Sequence, residues 1–218
     1  MDNKIGAKAR AFNRETPDQR KRELILATLK LISEKGVRAA TVRAIAQQAN
    51  VTQGLIRHHF SSKEELICAA YDFHMQAMMT TTFEASEVSS DTAVERLAKF
   101  VRSTLTPPVV DHRAVSLWAG FFQLIQHNQR IRTTHEKTYI HFRDRIEFLI
   151  ANAIEEQGGK VKEAQLRKLA IACNGVIDGL WLEGSALYDQ FSHGELVDIG
   201  LMSISRILGI DLTDLKGD

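Results

Sequence analysis

Cysteine, proline and long apolar runs are scarce in this chain of 218 residues. Its two cysteines, Cys68 and Cys173, are too few for a disulfide framework or a four-ligand zinc site. Three prolines and 13 glycines exclude a collagen-like or low-complexity protein. No segment approaches the roughly 18 to 20 apolar residues of a membrane span, and the first residues lack the apolar core of a secretory signal. We therefore expect a cytoplasmic protein with no membrane partner.

Motifs of catalysis and metal binding are also missing. The sequence contains no glycine-rich phosphate loop, no HExxH and no Gly-x-Ser-x-Gly, the patterns of nucleotide, zinc-protease and serine-hydrolase sites. His135 and His141 are six residues apart, which places them on different faces of a helix. We therefore expect a protein that is not an enzyme and has neither a metal site nor a cofactor.

Charge is unevenly distributed, although the formal net charge is only +1. Residues 1–63 hold 13 Lys/Arg and 5 Asp/Glu, whereas residues 64–218 hold 15 and 22. A basic N-terminal head on an acidic trunk indicates binding of a polyanion such as DNA. Charge alone leaves open a solvated basic tail, since four cations precede the first predicted helix: Lys4, Lys8, Arg10 and Arg14.

Helical signals follow one another along the chain, and no segment has the strict alternation of a strand. Thr16 and Gln19 around Pro17 predict a capping box, and Ser62 with Glu65 predicts another that opens a long helix into the high 80s. An all-α fold of about nine helices follows, with a head of residues 1–62 and a trunk of residues 63–218. The later helices are expected over about 91–106, 113–126, 128–157, 163–190 and 193–208.

Residues 41–63 have the pattern of a helix-turn-helix. Asn50 occupies the turn, where a residue that tolerates the left-handed conformation is needed. Gln53 and Arg57 share a polar face of the following helix, which fits the DNA major groove, because glutamine can pair with adenine and arginine with guanine. A hairpin whose polar face meets only water is the alternative, but the basic head favours DNA. The expected DNA-binding residues are Thr41, Arg43, Thr52, Gln53, Arg57, His58 and Lys63.

Residues 22–71 resemble the N-terminal DNA-binding domain of the TetR family of bacterial repressors. The resemblance implies an all-α homodimer whose three N-terminal helices bind double-stranded operator DNA and whose C-terminal helices bind a ligand and the partner subunit. Arg57 and His59 stand where the family has tyrosines, and Asn50 stands where it has glycine, which puts the preferred DNA sequence in doubt. The matching elements are Thr41, Ile45-Ala46, Asn50-Val51-Thr52, Ile56–Phe60 and Ser62–Leu66.

The trunk has a narrower resemblance, over residues 114–126 and 176–186, to the betaine-choline regulators of the BetI subgroup. It implies a small-molecule effector such as choline or a related cation. The aromatic spacing itself is compatible with plain core packing or with an aromatic box for a quaternary ammonium, and the methionines of residues 75–79 equally suit a generic apolar pocket. The candidate effector-binding residues are Trp118, Phe121, Phe122, Tyr139, Asp178 and Trp181, with Glu183 as the alternative carboxylate.

Small residues at helical spacing suggest how two subunits meet. Two late helices could form a four-helix bundle across a two-fold axis, although an ordinary helix pair within one chain has the same pattern. The candidate interface residues are Ala172, Gly175, Gly179, Leu196, Gly200, Ser203 and Ile207.

Taken together, the sequence predicts a nucleoid-associated regulator of transcription, a repressor released from its operator by a small effector. One alternative is an architectural or cell-division factor of the same fold that needs no ligand. Another is a helical enzyme or carrier with an incidental basic tail. Specific DNA binding and ligand-dependent release distinguish the three.

Overall fold

The computed structural model describes residues 16–87 and 91–213, so the basic residues predicted to precede the first helix lie outside it. The described residues form nine α-helices and no strand, which confirms the all-α prediction. No helix among them is long and apolar enough to cross a membrane. The helices are α1 (Pro17–Lys35), α2 (Val42–Gln48), α3 (Gln53–His59), α4 (Lys63–Glu84), α5 (Ala93–Thr104), α6 (His112–His127), α7 (Gln129–Glu156), α8 (Glu163–Ala186) and α9 (Glu195–Leu208), with 3₁₀ turns at Val37–Ala39 and Tyr188–Gln190.

Side-chain caps stand at the starts of helices α1 to α7. At α1 the Thr16 hydroxyl accepts from the Gln19 amide at 3.3 Å and the Gln19 side chain accepts from the Thr16 amide at 2.9 Å, the predicted capping box. At α4 only half of the predicted box forms. Ser62 accepts from the Glu65 amide, but the Glu65 carboxylate accepts from the Ser61 amide at 2.7 Å. Helix α4 also ends at Glu84, before the predicted high 80s.

Two hydrophobic cores organise the molecule. The first joins α1, α2 and α3 to the N-terminal half of α4, as far as Met75. The second lies among α5, α7, α8 and α9 and is built on Phe100 and Ile150. Because the first core continues beyond Lys63, the packing does not divide at residue 62, where the sequence places the boundary between head and trunk.

Helix α6 belongs to the trunk yet completes the first core. Phe121 is fully buried there, with its ring centroid 4.7 Å from that of Tyr71. A Cβ atom on Gly120 would lie 2.8 Å from Val37 and 3.3 Å from Ile32, so a glycine is needed for α6 to approach α1 this closely. The prediction that Phe121 binds the effector is therefore wrong. Its side chain belongs to the core.

Two of the seven residues predicted to form the dimer interface are instead buried within the subunit. Leu196 and Gly200 are buried within the chain, and Gly200 lies directly against Leu105. Ile207 packs on the second core, and Ser203 is half-buried. The spacing of small and apolar residues on α9 therefore reflects, at Leu196 and Gly200, the packing of the helix within its own chain. The small residues of α8 differ, because Ala172, Gly175 and Gly179 are exposed, and the two glycines have open space beside them.

We expect the adjacent Phe121→Ala and Phe122→Ala variants to differ strongly in stability. Phe121 is fully buried, whereas Phe122 is 53% exposed. Loss of the buried ring should lower the free energy of unfolding by about 3–5 kcal/mol, and loss of the exposed ring by less than about 1 kcal/mol. Urea unfolding followed by circular dichroism measures both, and equal losses would contradict the assignment of Phe121 to the core.

His74 should make stability depend on pH. Its Nε2 is buried without a partner, and burial lowers the pKa of His74 to about 4. Below the ordinary pKa of about 6.5, His74 binds a proton in the unfolded chain but not in the native protein. The free energy of unfolding is therefore highest above about pH 6.5 and falls towards pH 4. The loss attributable to His74 should reach about 3 kcal/mol.

Urea unfolding between pH 7.5 and pH 5 tests this dependence. His74→Leu should flatten the decline, and the matched His193→Leu, at an exposed position, should leave it in place. A decline of equal steepness in the parent protein and in His74→Leu would exclude His74 as its source.

Candidate functional sites: a helix-turn-helix surface and an aromatic cavity

The helix-turn-helix is formed by α2 and α3, each opened by a threonine. The Thr41 hydroxyl accepts from the Ala44 amide at 3.1 Å, and the Thr52 hydroxyl accepts from the Leu55 amide at 3.3 Å. Asn50 has φ = 53°, the left-handed conformation predicted for the turn. These local features fix α3 at its angle to α2.

The two faces of α3 differ in polarity. Ile56 and the following Phe60 are each 2% exposed and anchor the helix in the first core, while Leu55 is only half-buried. The opposite side presents Gln53 and Arg57 to solvent. Of the seven residues predicted to contact DNA, six are exposed and the seventh, Lys63, is half-buried at the start of α4. Their contact with DNA stays a prediction.

A cavity of about 430 Å³ lies in the trunk among α4, α5, α6, α7 and α8. Five predicted residues line it: Trp118, Phe122, Tyr139, Asp178 and Trp181. Phe121 and Glu183 do not. The suggestion of a methionine-lined pocket also holds, because Met75, Met78 and Met79 form its α4 wall. The sequence reasoning missed Thr82, Thr104, Val109, His135, Thr138, Phe142, Ile177 and Leu182.

Aromatic rings meet at one end of the cavity. The centroids of Trp118 and Trp181 are 5.8 Å apart with planes at 73°, and those of Trp118 and Phe122 are 5.1 Å apart with planes at 35°. The Trp181 indole donates to the Val109 carbonyl at 2.9 Å, which fixes its orientation. The rings are adjoining walls of a box rather than a stack. We call Trp118, Phe122, Trp181 and the nearby Tyr139 the aromatic box.

One carboxylate sits beside the box. The Tyr139 hydroxyl donates to Asp178, and the Asn174 amide donates to Tyr139 at 2.7 Å and to Asp178 at 2.9 Å. Burial raises the pKa of Asp178, against the effect of the two hydrogen bonds. Burial and the Asp178 carboxylate raise the pKa of Tyr139 to about 12, so the tyrosine is neutral at pH 7. Because no lysine or arginine is among the described lining residues, the site favours a cation.

His135 connects the cavity to the first core. Its Nδ1 shares a hydrogen bond of 2.7 Å with the hydroxyl of Tyr71, which is fully buried beside Phe121. Burial lowers the pKa of His135, although Glu136 and Asp178 oppose the shift. The ring is therefore neutral at pH 7 and does not repel a cation. No sequence pattern could find this pair, because it joins α4 to α7 across 64 residues.

Metal chemistry has no site in the described part of the chain. No group of three or more histidine, cysteine or acidic residues there could hold an ion. Both thiols are buried and free, as packing residues would be. Burial raises the pKa of Cys68 and raises that of Cys173 to about 12, which makes both poor nucleophiles.

Two protein-family models match the chain. The C-terminal domain of BetI-type transcriptional repressors matches residues 93–209, which is more than half of the chain. The model described as bacterial regulatory proteins of the tetR family matches residues 24–70, which include the helix-turn-helix.

Similar proteins agree with these matches. The HTH-type transcriptional regulator BetI of Burkholderia mallei is 26% identical over 166 residues, which cover 76% of this chain and 82% of that protein. A transcriptional regulator from Pseudomonas aeruginosa PAO1 is 27% identical with a TM-score of 0.81, over 91% of this chain and 95% of the other. A regulator from Saccharomonospora viridis, crystallised with choline, has the same fold at 21% identity and a TM-score of 0.69, over 88% of this chain and 96% of the other.

Proposed function

Because the chain belongs to the TetR family of bacterial transcriptional regulators and has a BetI-type C-terminal domain, we propose that it is a repressor released from its operator by a small cation. The chain is a DNA-binding regulator of transcription. The repression, the release and the identity of the cation are the proposal. The observation that carries it is an aromatic box beside a single carboxylate, in direct contact with the core of the head.

The polar face of α3 is the proposed reader of the operator. Gln53 and Arg57 are exposed four residues apart, which directs both side chains to one side of the helix. In a major groove they can pair with adenine and guanine. The backbone amides at the helix starts of Thr41 and Thr52 suit phosphate contacts, with Arg43 at the rim.

A second copy of the chain is the proposed partner in DNA binding. Gly175 and Gly179 on α8 have no atom within 4 Å of a Cβ position, and Ala172 beside them is exposed. Small residues on an exposed helix face let another helix approach closely. A two-fold dimer would set its two α3 helices on half-sites roughly 34 Å apart.

The aromatic box is the proposed cation site. A quaternary ammonium is attracted to the faces of tryptophan and tyrosine by cation–π interaction. The Asp178 carboxylate supplies the compensating charge, and the neutral His135 adds no repulsion. The choline bound to the Saccharomonospora regulator makes choline the first cation to test. A ligand-independent architectural factor of this fold would have no use for such a box.

Release requires that the cation favour the state that does not bind DNA. Two contacts are suited to pass this preference to the head. The first is the hydrogen bond between His135 and Tyr71. The second is α6, which presents Trp118 and Phe122 to the cavity and Phe121 to the core of the head. A 100-fold loss of DNA affinity needs only about 2.7 kcal/mol of coupling.

Arg57→Ala should reduce the preference for the operator. Loss of a paired contact to guanine should weaken specific binding by about 1–3 kcal/mol. Fluorescence anisotropy on the DNA beside the gene, against a scrambled duplex at physiological salt, measures the preference. The control is Arg167→Ala, which removes the same charge from an exposed position on α8. If both variants bind like the parent protein, α3 does not read DNA through Arg57.

Tyr71→Phe should weaken release while sparing the cation site. The variant keeps the buried ring but removes the hydrogen bond to His135, so the effect of saturating choline on DNA affinity should shrink about 2- to 10-fold. Tyr139→Phe is the matched control. It removes a hydroxyl inside the site and should weaken choline binding, with full release at saturation.

Calorimetry of choline binding and anisotropy on the operator together separate the two effects. If saturating choline lowers the DNA affinity of Tyr71→Phe as much as that of the parent protein, the His135–Tyr71 hydrogen bond is not a route of coupling. A protein that binds operator DNA but never releases it with any quaternary ammonium would contradict the proposed cation effector.

A further inference from the structure

The cavity is longer than the aromatic box. Its lining runs from Met75 to Thr82 on α4 and from His135 to Phe142 on α7, a span of eight residues on each helix, or roughly 10 Å of helix axis. The two helices run in the same direction, since Tyr71 meets His135 at one level and Phe83 meets Phe142 at the other. The aromatic box lies at the His135 level, so the space continues beyond it.

The volume agrees with this length. About 430 Å³ falls within the roughly 300–1,000 Å³ of pockets for drug-sized ligands. A bare trimethylammonium group with a two-carbon arm would leave much of this space unfilled. A longer ligand that filled this apolar space would make additional van der Waals contacts with its lining.

The far end of the cavity is apolar. We call it the apolar end, formed by Met79, Thr82, Thr104, Phe142 and Ile177. Its threonines donate their hydroxyl hydrogens within their own helices, Thr82 to the Met79 carbonyl at 3.0 Å and Thr104 to the Val101 carbonyl at 2.6 Å. No charged side chain lines this end in the described parts of the chain.

The apolar end therefore offers a ligand no free hydrogen-bond donor among its described residues. A carboxylate placed here would lose its hydrogen bonds to water without a donor in return, which is unfavourable. A carboxylate would also meet no lysine or arginine anywhere in the described lining, while Asp178 would repel it. A hydrocarbon meets none of these penalties.

We propose that the effector is an amphipathic monocation, with a quaternary ammonium in the aromatic box and an alkyl or aryl tail in the apolar end. This inference rests on the cationic effector of the proposed function and specifies its chemical class. Zwitterions such as trimethylammonium carboxylates are excluded from the preferred class. Tail length is bounded by the roughly 10 Å of helix that lines the cavity.

A series of alkyltrimethylammonium ions tests the proposal. Titration calorimetry on the full chain would compare methyl, ethyl, butyl, hexyl and octyl tails, with choline alongside, all below their micelle concentrations. Each added methylene should strengthen binding about fourfold until the apolar end is full. Affinity should then level off, and release of operator DNA should follow the same order.

Two variants locate the tail. Thr82→Met would fill the apolar end, so the ratio of hexyl to methyl affinity should fall at least tenfold. Since Thr82 is buried and its replacement could unfold the protein, Met79→Phe at a half-buried position provides a second variant with the same expectation. An unchanged ratio in a folded variant would overturn the placement of the tail.

The outcomes separate this inference from the function on which it rests. Equal affinity for all tail lengths would overturn the amphipathic class but leave a small-cation effector standing. If neutral hexanol binds as tightly as hexyltrimethylammonium, the effector is not selected for its positive charge. That result would overturn the cationic effector both in the proposed function and in this inference. No binding or DNA release by any member of the series would remove the proposed effector and the inference together.

Discussion

Phe121 inserts its ring into the core of the head from a helix of the trunk. Its contact with Tyr71 at 4.7 Å, beside the close approach of Gly120 to Val37 and Ile32, joins the two halves of the molecule. The hydrogen bond between His135 and Tyr71 is a second connection from the cavity to the same core. Helix α6 therefore lies between the cavity, which Trp118 and Phe122 line, and the core that holds α3.

The electrostatics of the cavity follow from how few charges it contains. Asp178 is the ionisable acid in its described lining, and its two hydrogen-bond donors, Tyr139 and Asn174, hold it in place. His135 loses its proton because of burial. The result is a site whose described lining holds one acidic side chain and no lysine or arginine, so its electrostatics favour a cation over an anion.

The sequence predicted local features well and long-range ones poorly. The capping box at Thr16 and the left-handed conformation of Asn50 depend on neighbours within four residues, and the structure confirms both. Phe121 and Phe122 are adjacent residues of the same type, so the sequence gives no reason to treat them differently. Only the packing of α6 against the head places Phe121 in the core and Phe122 at the cavity.

The same limit explains why Leu196 and Gly200 were placed in the dimer interface and why His135 was missed as a cavity residue. Leu196 and Gly200 have the spacing of any buried helix face, which cannot reveal whether the partner is α5 of the same chain or another subunit. The bond between Tyr71 and His135 depends on how α4 and α7 pack side by side, and no pattern along the chain reports it.

The hydrogen bond from the Trp181 indole to the Val109 carbonyl has a consequence for kinetics. Together with the bonds that hold Asp178, it assembles the aromatic box before any ligand arrives, so little side-chain entropy is lost on binding. A rigid site of this kind receives different cations at similar association rates. Selectivity among them then resides in how long each one stays, so the proposed effector would differ from other cations mainly in its dissociation rate.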